Sequence, residues 1–550
     1  MTNSRTSTYV IAAIGLLAIT LGLFAIAWPF NGADFDDWWD LRISESRVWH
    51  HEDTNRPFNT GGLAIAQYLM PDRMARLLYM HMVFLWGISL GIFHIIFRLY
   101  KQRMAWVAFS AAAAYVAYIP YALDQVRTQH VAVYPWVILL ATISAAMLIE
   151  FLMREDRARF AFLAGSAIFG YIAIRAFEAL IAPVVCLPFL ILIFDPRLNR
   201  ERLLGLAGWA LVVGVATMQF VVPYMRGDEQ SSYQTDLQAA DQSILELIDN
   251  TVEFFDTGFP LEDKILATEF NLNAPALLTT LVFLAGGTLL WQTSPEDRRL
   301  PSPLALILMF GAGIALAGLG GAAAIFADLH LLPRSHLPAV PGQSLAVTAL
   351  ILGIVALGER LLRARVSILL LVAGAMFMFT ANQWYFQAQI RADAHGLDMT
   401  VNNDLWRDMK NLIPDTEPDT LILYTCAEPT QPHEFIRSSS LGASLLFYDQ
   451  DRTQVAFWRF DIALVIEQPD LIPTEDGIVY DAIRYTDVVT FEEKTYGYDE
   501  VIVVTCAPTG LQILDTFPAE LAPPHARTDL YNPYARIREA FIAPAGMLNR

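Results

Sequence analysis

Apolar residues in this chain come in blocks of the length that a lipid bilayer demands. A spanning helix needs about 20 mostly apolar residues, and such stretches fall near 9–28, 77–97, 104–122, 131–152, 203–223, 274–292, 303–326, 342–358 and 366–384. The block 160–194 is apolar apart from Arg175 and Glu178. As a single helix it would run about 50 Å, against about 30 Å of hydrocarbon. It therefore reads as two short helices with Arg175 and Glu178 at the turn between them. That brings the expected number of spans to eleven.

Charge placement supports this parity. With the N-terminus in the cytoplasm, the inner connections carry Arg98, Lys101 and Arg103; Arg154, Arg157 and Arg159; Arg197, Arg200 and Arg202; Arg298 and Arg299; and Arg360, Arg363 and Arg365. Short basic clusters on the cytoplasmic side are the usual orienting signal. A single span over 160–194 would send the 197–202 cluster outside. The first segment is long enough to stay as an anchor, so no cleavable signal peptide is needed. The fold class expected is a polytopic α-helical membrane protein, N-in and C-out, comprising residues 1–384, with an extracytoplasmic α/β domain over 385–550.

Composition agrees with the pattern. Of 550 residues, 55% are hydrophobic, and the mean hydropathy of +0.39 is too high for an ordinary soluble enzyme. The net charge of −19 gathers on the expected outer side, much of it in the loop 224–273. Nucleic acid is excluded as a partner, because its binding needs clustered Lys and Arg. In the tail, residues 403–413 read as an amphipathic helix and 420–425 and 500–505 as strands, with 441–448 and 463–467 as weaker strand candidates. Cys186 lies in a span and reads as packing. Cys426 and Cys506 end the similar runs L-I-L-Y-T-C and V-I-V-V-T-C, so neighbouring strands of one sheet would bring them together, as a disulfide or as two free thiols. The tail has no Gly-rich phosphate loop and no nucleophile elbow.

The candidate chemistry sits on the expected outer loops. Directly after the first span the chain reads N-G-A-D-F-D-D-W-W-D, residues 31–40. Asp34, Asp36, Asp37 and Asp40 crowd the water edge of a membrane helix, where each carboxylate needs a cation, a proton or a hydroxyl to settle. Trp38 and Trp39 suit anchors at headgroup level. Residues 41–52 can lie in the interface as an amphipathic helix. The same loop then carries N-R-P-F with Arg56, the turn in 160–194 carries R-A-F-E with Arg175 and Glu178, and the connection before 342 reads L-P-R-S-H-L-P-A-V-P-G with Arg334 and His336. Asp40, Glu45, Glu52 and Asp53 read as solvated loop charges. His50 and His51 lack a third ligand at zinc spacing.

In order and in shared location, D-F-D-D, N-R-P-F, R-A-F-E and P-R-S-H-L-P-A-V-P resemble the motifs of the GT-C superfamily of integral membrane glycosyltransferases, including its protein O-mannosyltransferase and aminoarabinose-transferase branches. The resemblance covers about 1–384 as architecture, with a tail similar to the outer domains of many members. The last motif resembles the family's R-Y-x-L-P-x-x-P pattern, with Ser335 and His336 at its centre. The resemblance implies transfer of a sugar from a polyprenyl-phosphate donor to a lipid, glycan or protein acceptor at the outer face of the plasma membrane, with inversion. It implies Asp36, or Asp37 beside it, as general base, and Asp34 as an orienting group. Arg56 and Arg334 become phosphate ligands with His336 as helper, while Glu178 binds sugar hydroxyls or pairs with Arg175. No cofactor is required by this scheme, although the spacing of Asp34 and Asp36 permits hard oxygen ligation of a divalent cation. Two other classes fit the sequence: a lipid-linked sugar flippase, and a non-catalytic scaffold of envelope assembly.

Overall fold

The computed structural model describes residues 2–27, 58, 61, 62, 65, 73–118, 133–194, 199–226, 243–258, 274–293, 301–326, 333–362, 374, 375, 377, 378, 407–425, 453–457, 471–485, 489–507 and 510–538. Helices occupy ten of the eleven expected spans: α1 Thr2–Ala27, α2 Arg73–Leu99, α3 Ala105–Tyr118, α4 Val133–Met153 and α5 Arg159–Ala176, then α6 Ile181–Phe194, α7 Arg200–Arg226, α9 Ala274–Thr293, α10 Pro303–Phe326 and α11 Val340–Leu362. A further helix, α8 Ile244–Gly258, lies in the acidic connection. Of the span 366–384, only residues 374, 375, 377 and 378 are described, all helical. Among the described residues, seven helices are long and apolar enough to cross a membrane, and Ala105–Ala117, Glu178–Leu192 and Ala276–Gln292 are shorter apolar pieces. The chain is a multi-pass membrane protein.

The block 160–194 is broken where its length and charges predict. α5 ends at Ala176, and Phe177 is extended, with φ −158° and ψ 116°. A 3₁₀ turn, Glu178–Leu180, then leads into α6. Pro183 falls in the first turn of α6, where a missing N–H costs little.

Among the described residues, Arg98, Arg154 and Arg159 of the basic connections are paired at one end of the bundle. Glu150, near the end of α4, accepts hydrogen bonds from Arg154 Nε at 2.7 Å and Arg98 NH2 at 3.2 Å. His94 Nε2 lies 3.2 Å from the same carboxylate, and the Tyr9 hydroxyl meets His94 Nδ1 at 2.9 Å. This chain of partners ties α1, α2 and α4. Arg159 pairs with Glu201, joining the starts of α5 and α7. A carboxylate buried among helices is stable only when it is paired and hydrogen-bonded, and Glu150 is both.

Within the bundle, small residues and hydroxyls set the helix contacts, as is usual where lipid removes the hydrophobic gain of association. Ser144 and Ser166 each donate to the other's carbonyl at 2.8 Å, and Trp209 Nε1 donates to Ser166 Oγ at 3.0 Å, stapling α4, α5 and α7. α10 and α11 approach until their backbones touch. A methyl group on Gly313 would lie 2.5 Å from Ala346 N, and one on Gly342 would overlap Ala317 N. The apolar core of α1, α2, α3, α9 and α11 centres on Phe109 and Phe283, whose rings stack at 5.9 Å.

In the tail, strands β1 Asp415–Thr416, β2 Thr420–Thr425, β3 Thr453–Phe457, β4 Ile472–Pro473 and β5 Gly477–Tyr485 precede β6 Val489–Gly497, β7 Val501–Ala507, β8 Gly510–Ile513 and β9 Ile537–Arg538. One sheet has the order β3-β2-β7-β8, with β2 parallel to both β3 and β7. β4, β5 and β6 form an antiparallel sheet, and β1 pairs with β9. The two strongest expected strands coincide with β2 and β7, and residues 407–412 are helical. The candidates 441–448 and 463–467 lie outside the described residues. Tyr531 fastens the C-terminal stretch to the sheet by accepting from Val503 N and donating to Leu514 O, both at 3.0 Å, and burial pushes its hydroxyl up to about 12.

The register of β2 against β7 pairs Thr425 with Thr505. Cys506 is the next residue of β7, and Cys426, which follows Thr425 in sequence, lies outside the described residues. Neighbouring strands lie about 4.8 Å apart, within disulfide reach. Peptide mapping without reductant is expected to recover the 426 and 506 peptides as one linked pair, and two separately alkylated thiols would refute the link. Closing a loop of roughly 80 residues would stabilise the tail by about 4 kcal/mol.

Candidate functional site at one end of the bundle

Opposite the Glu150 end, the bundle carries the turns that the sequence singled out. Near the start of α4, Trp136 Nε1 donates to the Phe58 carbonyl at 3.2 Å. Gly62 of the same loop sits so close that a methyl group there would lie 2.6 Å from the Trp136 ring. Phe58, the last residue of N-R-P-F, has φ 78°, a left-handed conformation that costs a non-glycine residue about 1 kcal/mol. Phe58 and Phe177, the aromatic residue of R-A-F-E, pack against one apolar cluster of α4, α5, α6 and α7. Tyr134 meets Phe177 edge to face at 5.0 Å.

Arg175 lies against the α7 side of this cluster, with Cζ 4.9 Å above the Phe220 ring. Its NH1 is buried without a hydrogen-bond partner among the described residues. The Arg175–Glu178 ion pair, one of the two roles open to Glu178, is not among the salt bridges of the described residues; Glu178 begins the 3₁₀ turn. The third motif forms a second 3₁₀ turn, Pro333–Ala339, ahead of α11. There His336 is fully buried, its imidazole stacked on the Phe254 ring with centroids 4.3 Å apart and planes 8° apart. Arg334 belongs to that turn. Asp34, Asp36, Asp37 and Arg56 lie outside the described residues, so the divalent-cation option at Asp34 and Asp36 is not visible. Elsewhere, among the described residues, no three His, Cys, Asp or Glu side chains form a metal-binding group.

The two 3₁₀ turns meet one apolar cavity. It has a volume of about 150 Å³ and runs between α2, α4, α6, α10 and α11. Leu180 of the first turn and Pro338 of the second line it, and Ile92, Thr142, Leu187 and Leu345 carry it along the helices. Gly320 of α10 packs directly on the Pro338 carbonyl, which fixes the second turn against the bundle.

Sequence reading passed over Trp136 and Phe254, the two aromatic residues that hold the first loop and His336. Trp136 near the start of a span was a usable signal. The Phe254–His336 pairing spans more than 80 positions, and no local pattern announces it.

The fold and these turns define a multi-pass membrane protein in which two of the motif-bearing turns border one apolar cavity. No protein-family profile and no curated protein sequence matches the chain. Among solved structures, it is similar to the crystal structure of ArnT from Cupriavidus metallidurans in the apo state, with 15% identity and a TM-score of 0.38 over 78% of this chain and 83% of that one.

Proposed function

We propose that the chain is a GT-C-type membrane glycosyltransferase that moves a sugar from a polyprenyl-phosphate carrier to an acceptor at the outer face of the plasma membrane. The observation that carries this reading is the meeting of separated motifs. N-R-P-F through Phe58 and R-A-F-E through Phe177 share a cluster. The 3₁₀ turn that starts at Glu178 of R-A-F-E, through Leu180, and P-R-S-H-L-P, through Pro338, share the cavity wall. An isoprenoid chain needs an apolar slot between helices, which the cavity offers, and the cations of the motifs are proposed to stand at its mouth.

In this scheme Asp36 or Asp37 takes the acceptor hydroxyl's proton as the sugar carbon develops oxocarbenium character, and Asp34 orients the site. Arg56 and Arg334 meet the departing lipid phosphate with paired charged hydrogen bonds. Arg175 supplies a further cation, and Glu178 binds sugar hydroxyls. Buried as it is, His336 acts by holding the Arg334 turn rather than by touching the phosphate. Inversion at the sugar carbon follows from a single displacement with one base.

Filling the slot tests the reading. Ala312 lines the cavity, and Ala312→Phe excludes part of an isoprenoid chain. Losing two buried methylenes, at about 0.8 kcal/mol each, is expected to reduce transfer from a full-length polyprenyl-phosphate sugar about tenfold. A two-isoprenoid analogue should be nearly unaffected. Equal responses from both donors would remove the cavity from the mechanism, and no transfer from any polyprenyl-phosphate sugar would refute the proposal.

A further inference from the structure

The acidic connection hides a helix with three stripes. α8 is started by a reciprocal cap, with Ser243 N donating to Glu246 Oε2 at 2.6 Å and Glu246 N donating to Ser243 Oγ at 3.3 Å. At 3.6 residues per turn, Leu247, Asn250, Thr251 and Phe254 share one stripe, and Phe254 is fully buried against α10 and the 333–339 turn. Next to it runs an apolar stripe that nothing described covers: Ile244, Leu245, Ile248 and Val252 are between 52% and 79% exposed. Beyond that lies a purely acidic stripe of Glu246, Asp249, Glu253 and Asp256, also exposed.

The docking point sets the depth of this helix. Phe254 packs over Gly321 of α10, where a methyl group would overlap its ring, and Phe255 packs over Gly318. α10 ends at Phe326, so at 1.5 Å per residue the contacts lie about 8–12 Å inside its end. That is close to the level of the headgroup and acyl boundary, where interfacial helices bury their apolar face by about 5–10 Å. The surface of α10 is itself apolar and exposed at Leu304, Ile307, Phe310 and Phe326, as a helix meeting lipid would be.

We propose that α8 is an interfacial helix whose Ile244, Leu245, Ile248 and Val252 enter the bilayer leaflet at the end of the bundle that bears the 333–339 turn. The acidic stripe then faces water, and carboxylates meet the cationic amines of zwitterionic lipids. Because Phe254 lies on His336, the helix that rides in the leaflet also roofs the Arg334 turn. This inference stands whether or not the chain transfers sugar.

The test uses the full chain in vesicles of phosphatidylcholine, with a small fluorescent amino acid placed at position 248, 252, 249 or 253 in turn. Fluorescence at 248 and 252 should be quenched by phospholipids brominated along their acyl chains and shielded several-fold from iodide, with the reverse at 249 and 253. Iodide access at 248 equal to that at 249 would overturn the proposal. Shielding of 248 from both quenchers would overturn it too, since the stripe would then be covered by protein, from the tail or a second copy. Should probes at 248 disturb folding, the pair 252 and 253 gives the same discrimination.

Discussion

Replacing both Asp36 and Asp37 by Asn is expected to reduce sugar transfer by about 100- to 10,000-fold, the range that a positioned general base contributes. Asn keeps the size and the hydrogen-bonding shape of the side chain but cannot take a proton at neutral pH, so folding and membrane insertion should be unchanged. The two single variants resolve which carboxylate is the base, because the sequence places them side by side. The base variant should carry nearly the whole loss, mostly in kcat, while its neighbour shifts KM. Asp40→Asn serves as control and should transfer at the parent rate. Full activity in the double variant, with normal amounts of protein in the membrane, would end the assignment of the D-F-D-D segment as the reaction centre.

The second large effect concerns folding. Gly342→Leu should destabilise the bundle by about 3 kcal/mol or more. Over-packing a well-filled interior costs about 1–3 kcal/mol even where side chains can yield. Here the added group would meet Ala317 N and the Gly313 carbonyl, both backbone, so α10 and α11 must part. That separation also displaces the 333–339 turn, whose Pro338 carbonyl rests on Gly320. Thermal unfolding in detergent should show a lower Tm for Gly342→Leu, and a smaller drop for Gly342→Ala. Gly353→Ala on the same helix meets nothing within 4 Å and should hold or raise the Tm, because alanine favours helix over glycine by about 1 kcal/mol. Equal responses at 342 and 353 would show that the close approach of α10 and α11 does not exist.

The break in 160–194 was legible because it follows from length and charge: about 50 Å of apolar chain cannot fit one crossing, and Arg175 and Glu178 marked the place. The cap that begins α8 was legible in principle too. Ser243 followed three residues later by Glu246 is a helix-start signature, but the segment 224–273 was read only for its acidic charge. The β5–β6 hairpin was missed for another reason. Apolar Val479 between buried Ile478 and Tyr480 hides their alternation, and charges inside V-T-F-E-E-K-T-Y dilute the strand pattern.

Glu150 shows the opposite limit. In sequence it is one acid in the last turns of an apolar span, with Arg154 four residues on as its one local partner. Its partners Arg98 and His94 come from α2, more than 50 positions away, and only helix packing supplies them.

By itself, then, the chain determined where membrane segments lie, which connections are basic, and where a long apolar block must break. Each depends on local composition measured against a bilayer of set thickness. Tertiary structure alone decided that the motif-bearing turns border one cavity, that glycines let α10 and α11 touch, and that Phe254 covers His336. These are contacts between residues far apart in sequence, settled by shape and by the pairing of buried polar groups, for which no stretch of sequence carries a local signal.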